Sequence, residues 1–128
     1  MKKKISKIII IFTIFSVIII GMNFAISAYT INCYHPSPVS VSGYCYASSN
    51  YNYGASTSSS AAVYMSASFN GTDIDGGYHS AGTKEIGSAT YISAEVWFGK
   101  PAFDGFGYHH AACNYCLAYV TFDTSRTY

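Results

Sequence analysis

The clearest structural signal in this chain is "AAVYMSASFN", residues 61–70. Val63, Met65, Ala67 and Phe69 alternate with Tyr64, Ser66, Ser68 and Asn70. A period of two is the mark of a strand buried on one side, because successive side chains point to opposite faces of a sheet. The same period recurs in "ATYISAEVWF", residues 89–98, where Ile92, Ala94, Val96 and Phe98 share one face and Tyr91, Ser93, Glu95 and Trp97 the other. In "CLAYVTF", residues 116–122, the sharing set is Cys116, Ala118, Val120 and Phe122. Between the first two runs, "GTDIDGGYHSAGTKEIGS" reads as glycine and aspartate turns around a short edge segment. "VSVSGYCYA", residues 39–47, is a further strand, and "SSNYNYGASTSSS", residues 48–60, is either a loop or a weakly apolar strand.

Composition points the same way. All 13 tyrosines follow residue 28, together with Trp97 and five phenylalanines, and Leu117 is the only leucine. Aromatic and β-branched residues favour pleated surfaces, while good helix formers are scarce. The expected fold is all-β, a small two-sheet antiparallel β-sandwich of five to seven strands.

The first residues, "MKKKISKIIIIFTIFSVIIIGMNFAISA", have a lysine-rich head, a short apolar run and a small-residue exit. That order is a secretory signal peptide, and the run is shorter than the roughly 20 apolar residues of a membrane anchor. The expected organisation is a signal peptide over 1–28, cut after Ala28, and a secreted domain over 29–128. The leader takes four of the seven cations, leaving Lys84, Lys100 and Arg126 against six carboxylates, a formal −3. A nucleic-acid partner calls for a basic patch, and a membrane-lytic helix for a cationic face. Neither is present, so no nucleic acid and no stable membrane insertion after cleavage are expected.

Export bears on the cysteines. In "GYHHAACNYC", His109, His110, Cys113 and Cys116 stand close together, and imidazole and thiolate are zinc ligands. The second close ligand pair of a zinc knuckle is missing, a strand instead of a helix follows Cys116, and position 117 is Leu where a haem motif needs His. The expectation is therefore no metal and no cofactor, with Cys33, Cys45, Cys113 and Cys116 as disulfide staples. Three pairings are possible. Crossed bonds from the N-terminal segment to the C-terminal strand close the longer loops, each worth about 4 kcal/mol on chain-entropy grounds.

No phosphate loop, nucleophile elbow or acid–base constellation can be assembled, so no enzyme is expected. Asp73 and Asp75 in "TDIDGG" have calcium-loop spacing, yet position 84, where such a loop requires Glu, is Lys. They read as a hairpin turn. The four histidines, His35, His79, His109 and His110, read as exposed or turn residues. What remains is an aromatic surface: Tyr91 and Trp97 flank Ser93 and Glu95, and Tyr64 on a neighbouring strand extends the ledge. Rigid rings with polar groups between them bind with little entropy to lose, and these five residues are the candidate ligand-binding surface.

At "SSNYNYGASTSSSAAV", residues 48–63, and "GSATYISAEVWFG", residues 87–99, the chain resembles the lactococcin 972 family of secreted bacteriocins. The shared features are Ser-Asn-Tyr followed by Gly and a Ser/Thr/Ala run, then a Gly-led strand that carries Trp and ends in Gly. The resemblance implies an exported two-sheet sandwich whose partner is a cell-wall precursor, lipid II, or a wall glycan of other bacteria. A non-toxic wall-binding module and a fibre-forming surface protein are the competing readings of the same tyrosine-rich strands.

Overall fold

The computed structural model describes residues 26–31, 38–84, 88–113 and 118–128, with side chains from Tyr29 on. The basic head and apolar run of the leader, Cys33 and Cys116 lie outside the described residues. Seven antiparallel strands run in chain order: β1 (Ile26–Ile31), β2 (Val39–Ser49), β3 (Asn52–Asp73), β4 (Tyr78–Lys84), β5 (Ala89–Trp97), β6 (Ala102–Ala112) and β7 (Tyr119–Thr127). They form one nearly closed sheet, with β1 lying near β7 and β4 near β5. Among the described residues there is no helix, and the all-β expectation holds.

The frame of the sheet is β3, 22 residues long. Its first half is held between β2 and β5, with Ala55 opposite both Cys45 and Ala94. Its second half is held between β4 and β6, with Phe69 opposite both Ala81 and Gly107. The pairing with β5 shifts register between Ser58 and Val63, where the strand leaves one set of neighbours for the other. Residues 48–60 are thus strand nearly throughout, broken only by the turn at Asn50 and Tyr51. Ala55, Ser56 and Thr57 are completely buried, although nothing in their own hydrophobicity announces it. Small side chains here leave room for neighbours on both flanks.

The alternation in "AAVYMSASFN" is realised as read: Val63, Met65, Ala67 and Phe69 are all at most 2% exposed. Ile92, Ala94, Phe98 and Phe122 join them inside, with Val96, Val120 and Ala118 packed at the margins. The expected cut after Ala28 falls within β1 but ahead of its described core contacts. Tyr29 packs its ring, tilted, 4.5 Å from that of Phe122, and Ile31 is buried.

Histidine 109 is not a surface or turn residue. It lies on β6, fully buried, stacked on Phe122 at 4.9 Å between ring centroids. Its Nδ1 is 2.9 Å from Thr57 Oγ1 and its Nε2 is 2.8 Å from Thr124 Oγ1. One set of protons satisfies every member. The Cys45 thiol donates to Thr124 Oγ1 (3.1 Å), the Thr124 hydroxyl donates to Nε2, Nδ1–H donates to Thr57 Oγ1, and the Thr57 hydroxyl donates to the Ser66 carbonyl (3.4 Å). The ring must be neutral for this to work. Space for it comes from glycine: a Cβ on Gly43 would lie 2.5 Å from His109 Nδ1, and one on Gly107 would lie 2.9 Å from Nε2. His110, the next residue, faces outward and bonds Thr121 Oγ1 at 2.9 Å. Two successive strand residues on opposite faces cannot converge on one ion, which removes the geometry of the zinc reading.

Cys45 corrects the disulfide expectation. It carries a free thiol, fully buried and bonded to Thr124, and burial pushes its pKa up. Its place on the inward face of β2, in phase with Val39 and Val41, puts the sulfur in the core.

Two expectations follow. Burial lowers His109 to about 4 from its ordinary 6.5, so the unfolded chain takes up a proton before the folded one does. Stability is therefore highest above pH 6.5 and falls on acidification down to pH 4, by on the order of 3 kcal/mol from this group. Urea midpoints measured between pH 8 and pH 4 will show that slope. Secondly, iodoacetamide at pH 8 should leave Cys45 unmodified in the folded protein and label it once urea is added. A peptide map with Cys45 in a disulfide would contradict the structure.

Candidate functional site

The outward face of the β2, β3 and β5 ladder is built in register. Tyr46, Gly54 and Glu95 lie side by side across the three strands, as do Tyr44, Ser56 and Ser93, and Ser42, Ser58 and Tyr91. Asn52 lies opposite Trp97 at one end. The face thus has tyrosines on one flank, Tyr91 and Trp97 on the other, and a floor of glycine and serine between. Trp97 is 69% exposed and Tyr91 54%. The Trp97 ring lies over Gly99, which adopts φ 68°, a conformation that favours glycine.

Glu95 is the polar centre. Its Oε1 accepts from the Tyr46 hydroxyl at 2.8 Å and its Oε2 from the Asn52 amide at 2.8 Å. Partial burial, followed by the bond to Glu95, raises the Tyr46 phenol well above its usual range, so it remains a donor. Tyr46 and Glu95 stand two strands apart, roughly 10 Å of backbone separation. They meet because Gly54 lies between them without a side chain: a Cβ there would fall 3.0 Å from both Tyr46 Cζ and Glu95 Cγ. The Tyr44 ring stands 5.6 Å from that of Tyr46 and extends the aromatic flank. Beneath it, Ser56 is buried and its hydroxyl has no hydrogen-bond partner among the described residues.

Of the five residues expected on this surface, Tyr91, Ser93, Glu95 and Trp97 are together on it. Tyr64 is not. It opens the second half of β3, opposite Ala112, and its ring meets His110 edge-on at 5.8 Å, on the outward face of the other half. The sequence reading passed over Tyr44, Tyr46 and Asn52. The signal for the tyrosines was present, since Ser40, Ser42, Tyr44 and Tyr46 alternate with Val39, Val41 and Cys45 in β2.

The aspartate turn between β3 and β4 is structural. Asp73 Oδ1 accepts from the backbone of Asp75 and Gly77, each at 2.9 Å, and Oδ2 meets His79 Nε2 at 2.9 Å. The His79 bond and these amides hold the Asp73 carboxyl down at about 2. His79 in turn stacks on Phe98 at 4.1 Å. The carboxylate oxygens that would hold calcium are thus engaged by N–H donors, and no group of ligands that could hold a metal is found among the described residues.

The chain matches no protein-family model, and no curated protein and no solved structure matches it. The class that the fold defines is a small all-β protein with an aromatic outer face.

Gly54→Ala tests the construction of this face. The added methyl would collide with the Ala94 carbonyl oxygen as well as lie against Tyr46 and Glu95, so it should push β5 away, break the Tyr46–Glu95 bond and cost about 1–3 kcal/mol, as overpacking does. Trp97→Ala should leave the urea midpoint nearly unchanged, because the ring is mostly in solvent.

Proposed function

We propose that this protein acts outside the cell as a bacteriocin-like antibacterial, docking on the saccharide portion of a cell-wall precursor such as lipid II. The observation that carries this reading is the outward face of β2, β3 and β5, where exposed Trp97 and Tyr91 flank a Glu95 carboxylate oriented by Tyr46 and Asn52. Rings fixed on a strand lose little freedom on binding and offer flat area to a sugar face. A carboxylate with lone pairs to spare accepts hydroxyl hydrogen bonds, and its charge turns the contact toward the sugars and away from the pyrophosphate. The leader and the resemblance of residues 48–63 and 87–99 to lactococcin 972-type bacteriocins favour export and a wall target.

On the scaffold, the reading is a two-layer sandwich made by folding one ladder over along β3, with one disulfide stapling it. Cys113 lies in the same core cluster as Ile31 and Val39, which precede and follow Cys33 in the chain, and this makes Cys33 one candidate partner. Cys116 is the other available partner. A non-toxic wall-binding module would use the same face and differ only in its effect on the target cell.

The test is growth inhibition of dividing Gram-positive bacteria by the purified, oxidised protein, run with sedimentation against vesicles containing lipid II. Wild type should arrest division at micromolar levels and co-sediment. The double variant Tyr91→Ala, Trp97→Ala should lose at least tenfold in both while keeping its urea midpoint. Co-sedimentation without inhibition would select the non-toxic module. Neither effect in the wild type would overturn the proposal.

A further inference from the structure

The second outward face, on the β4, β3, β6 and β7 ladder, contains a groove of about 570 Å³. Nothing in the reading above uses it. Its residues also stand in register. Thr72 lies opposite Tyr78 on β4 and Asp104 on β6, while Asn70 lies opposite Phe106, which in turn lies opposite Ser125 on β7. One exposed ring therefore stands over each of two adjoining rows. Tyr78 is 69% exposed and Phe106 39%.

The polar centre is again a carboxylate held in place. Asp104 Oδ1 accepts from the Thr72 backbone N–H at 2.8 Å and from its hydroxyl at 2.7 Å. The register of β3 against β6 shifts immediately after Thr72, between Thr72 and Asp73. Bulges of this kind re-aim groups beside functional sites. Both Thr72 bonds fall on one oxygen, and no bond from a described residue is recorded at Oδ2, which remains able to accept from a ligand. Asn70 adds an amide that both donates and accepts, and Ser125 adds a hydroxyl.

Charge and size narrow the ligand class. The groove is bordered by one carboxylate, Asp104, and one cation, Arg126, whose guanidinium lies 4.9 Å over the Tyr128 ring, so its lining carries no net charge with which to select an ion. A volume of this order accepts a ligand of one or two sugar rings. The polarised C–H face of a pyranose settles on an electron-rich aromatic face, and its hydroxyls need a mixture of donors and acceptors such as Asp104, Asn70 and Ser125 provide.

We propose that this groove is a second binding site, specific for an uncharged saccharide, on the side of the molecule away from the Trp97 face. The inner faces of the two halves meet, as the approach of Gly43 to His109 shows, so their outer faces point apart. A protein with both sites occupied bridges two glycan strands and gains avidity that neither site has alone.

The test is titration of the full secreted chain with an N-acetylglucosamine tetramer and, separately, maltotetraose, followed by amide and side-chain NMR. At least one sugar should shift the resonances of Tyr78, Phe106 and Asn70. Tyr78→Ala should weaken that binding at least tenfold, and so should Asp104→Asn, which keeps an oxygen for Thr72 but replaces the free acceptor with a donor. Trp97→Ala should leave these shifts unchanged. Thermal midpoints of both groove variants near wild type will show that the fold is intact, as expected for Tyr78 at the surface. Shifts confined to the Trp97 face, no shifts with either sugar, or a Tyr78→Ala variant that binds like wild type would overturn the second site. The lipid II reading would remain open to its own assay, and its failure there would leave the groove result standing.

Discussion

A neutral imidazole in the middle of a thin core is the constraint around which this sheet is arranged. His109 reaches Thr57 on the first half of β3 and Thr124 on β7, so it ties the strand that frames the sheet to its last strand. An unsatisfied polar group in that position would cost about 1–3 kcal/mol. The sequence answers with hydroxyls on both sides and with glycines where side chains would collide. Gly43, Gly107, Thr57, Thr124 and Cys45 are best understood as one unit, since each is fixed by the ring or by a neighbour of the ring. The two apolar clusters sit on either side of it, one built around Met65 and Phe122 and the other around Phe69 and Phe98.

The two outer faces built on this interior follow a single plan. In each, a carboxylate on one strand is bonded to a residue from a neighbouring strand, and exposed rings stand to either side. Glu95 is held by Tyr46 and Asn52 on one face, and Asp104 by Thr72 on the other. The local device differs: a missing side chain at Gly54 in the first, a register shift after Thr72 in the second. Either device spends regular sheet structure on positioning a polar group, which a purely structural surface has no need to do.

The strands with strong alternation were legible in the sequence because their burial is written in their own side chains. Val63 to Phe69 and Ile92 to Phe98 are the clearest cases. Residues 52–60 were not, because Ala55, Ser56 and Thr57 are buried by what surrounds them. His109 was hidden for a related reason. Its position matches Gly105, Gly107 and Ala111 in phase, all inward, but a polar ring in a row of small residues does not register as apolar. Phase alone would have placed it inside, and would have placed Cys45 with Val39 and Val41. Reading Cys45 as a disulfide partner followed from the expectation of export and the even cysteine count, which describe chains in general and not the face on which one sulfur falls. The candidate face was legible along β5, a single strand, and illegible where it depends on pairing. Tyr46 and Asn52 join it only through the register of β2 and β3, and Tyr64 leaves it because β3 changes neighbours between Ser58 and Val63.

That change of neighbours also bears on where the exposed aromatic strands leave their edges. Tyrosine-rich alternating strands pair readily through open edges. Here the ladder bends back until β1 lies near β7 and β4 near β5, so the strand edges approach one another across two seams. Backbone groups are then poorly placed to recruit another chain, whereas the rings, which stand perpendicular to the sheet, stay accessible. The fibre-forming reading requires one of those seams to open. With Tyr29 packed against Phe122, two large rings bridge the seam between β1 and β7, and opening it would expose the buried apolar surface around Phe122, the ring on which His109 stacks.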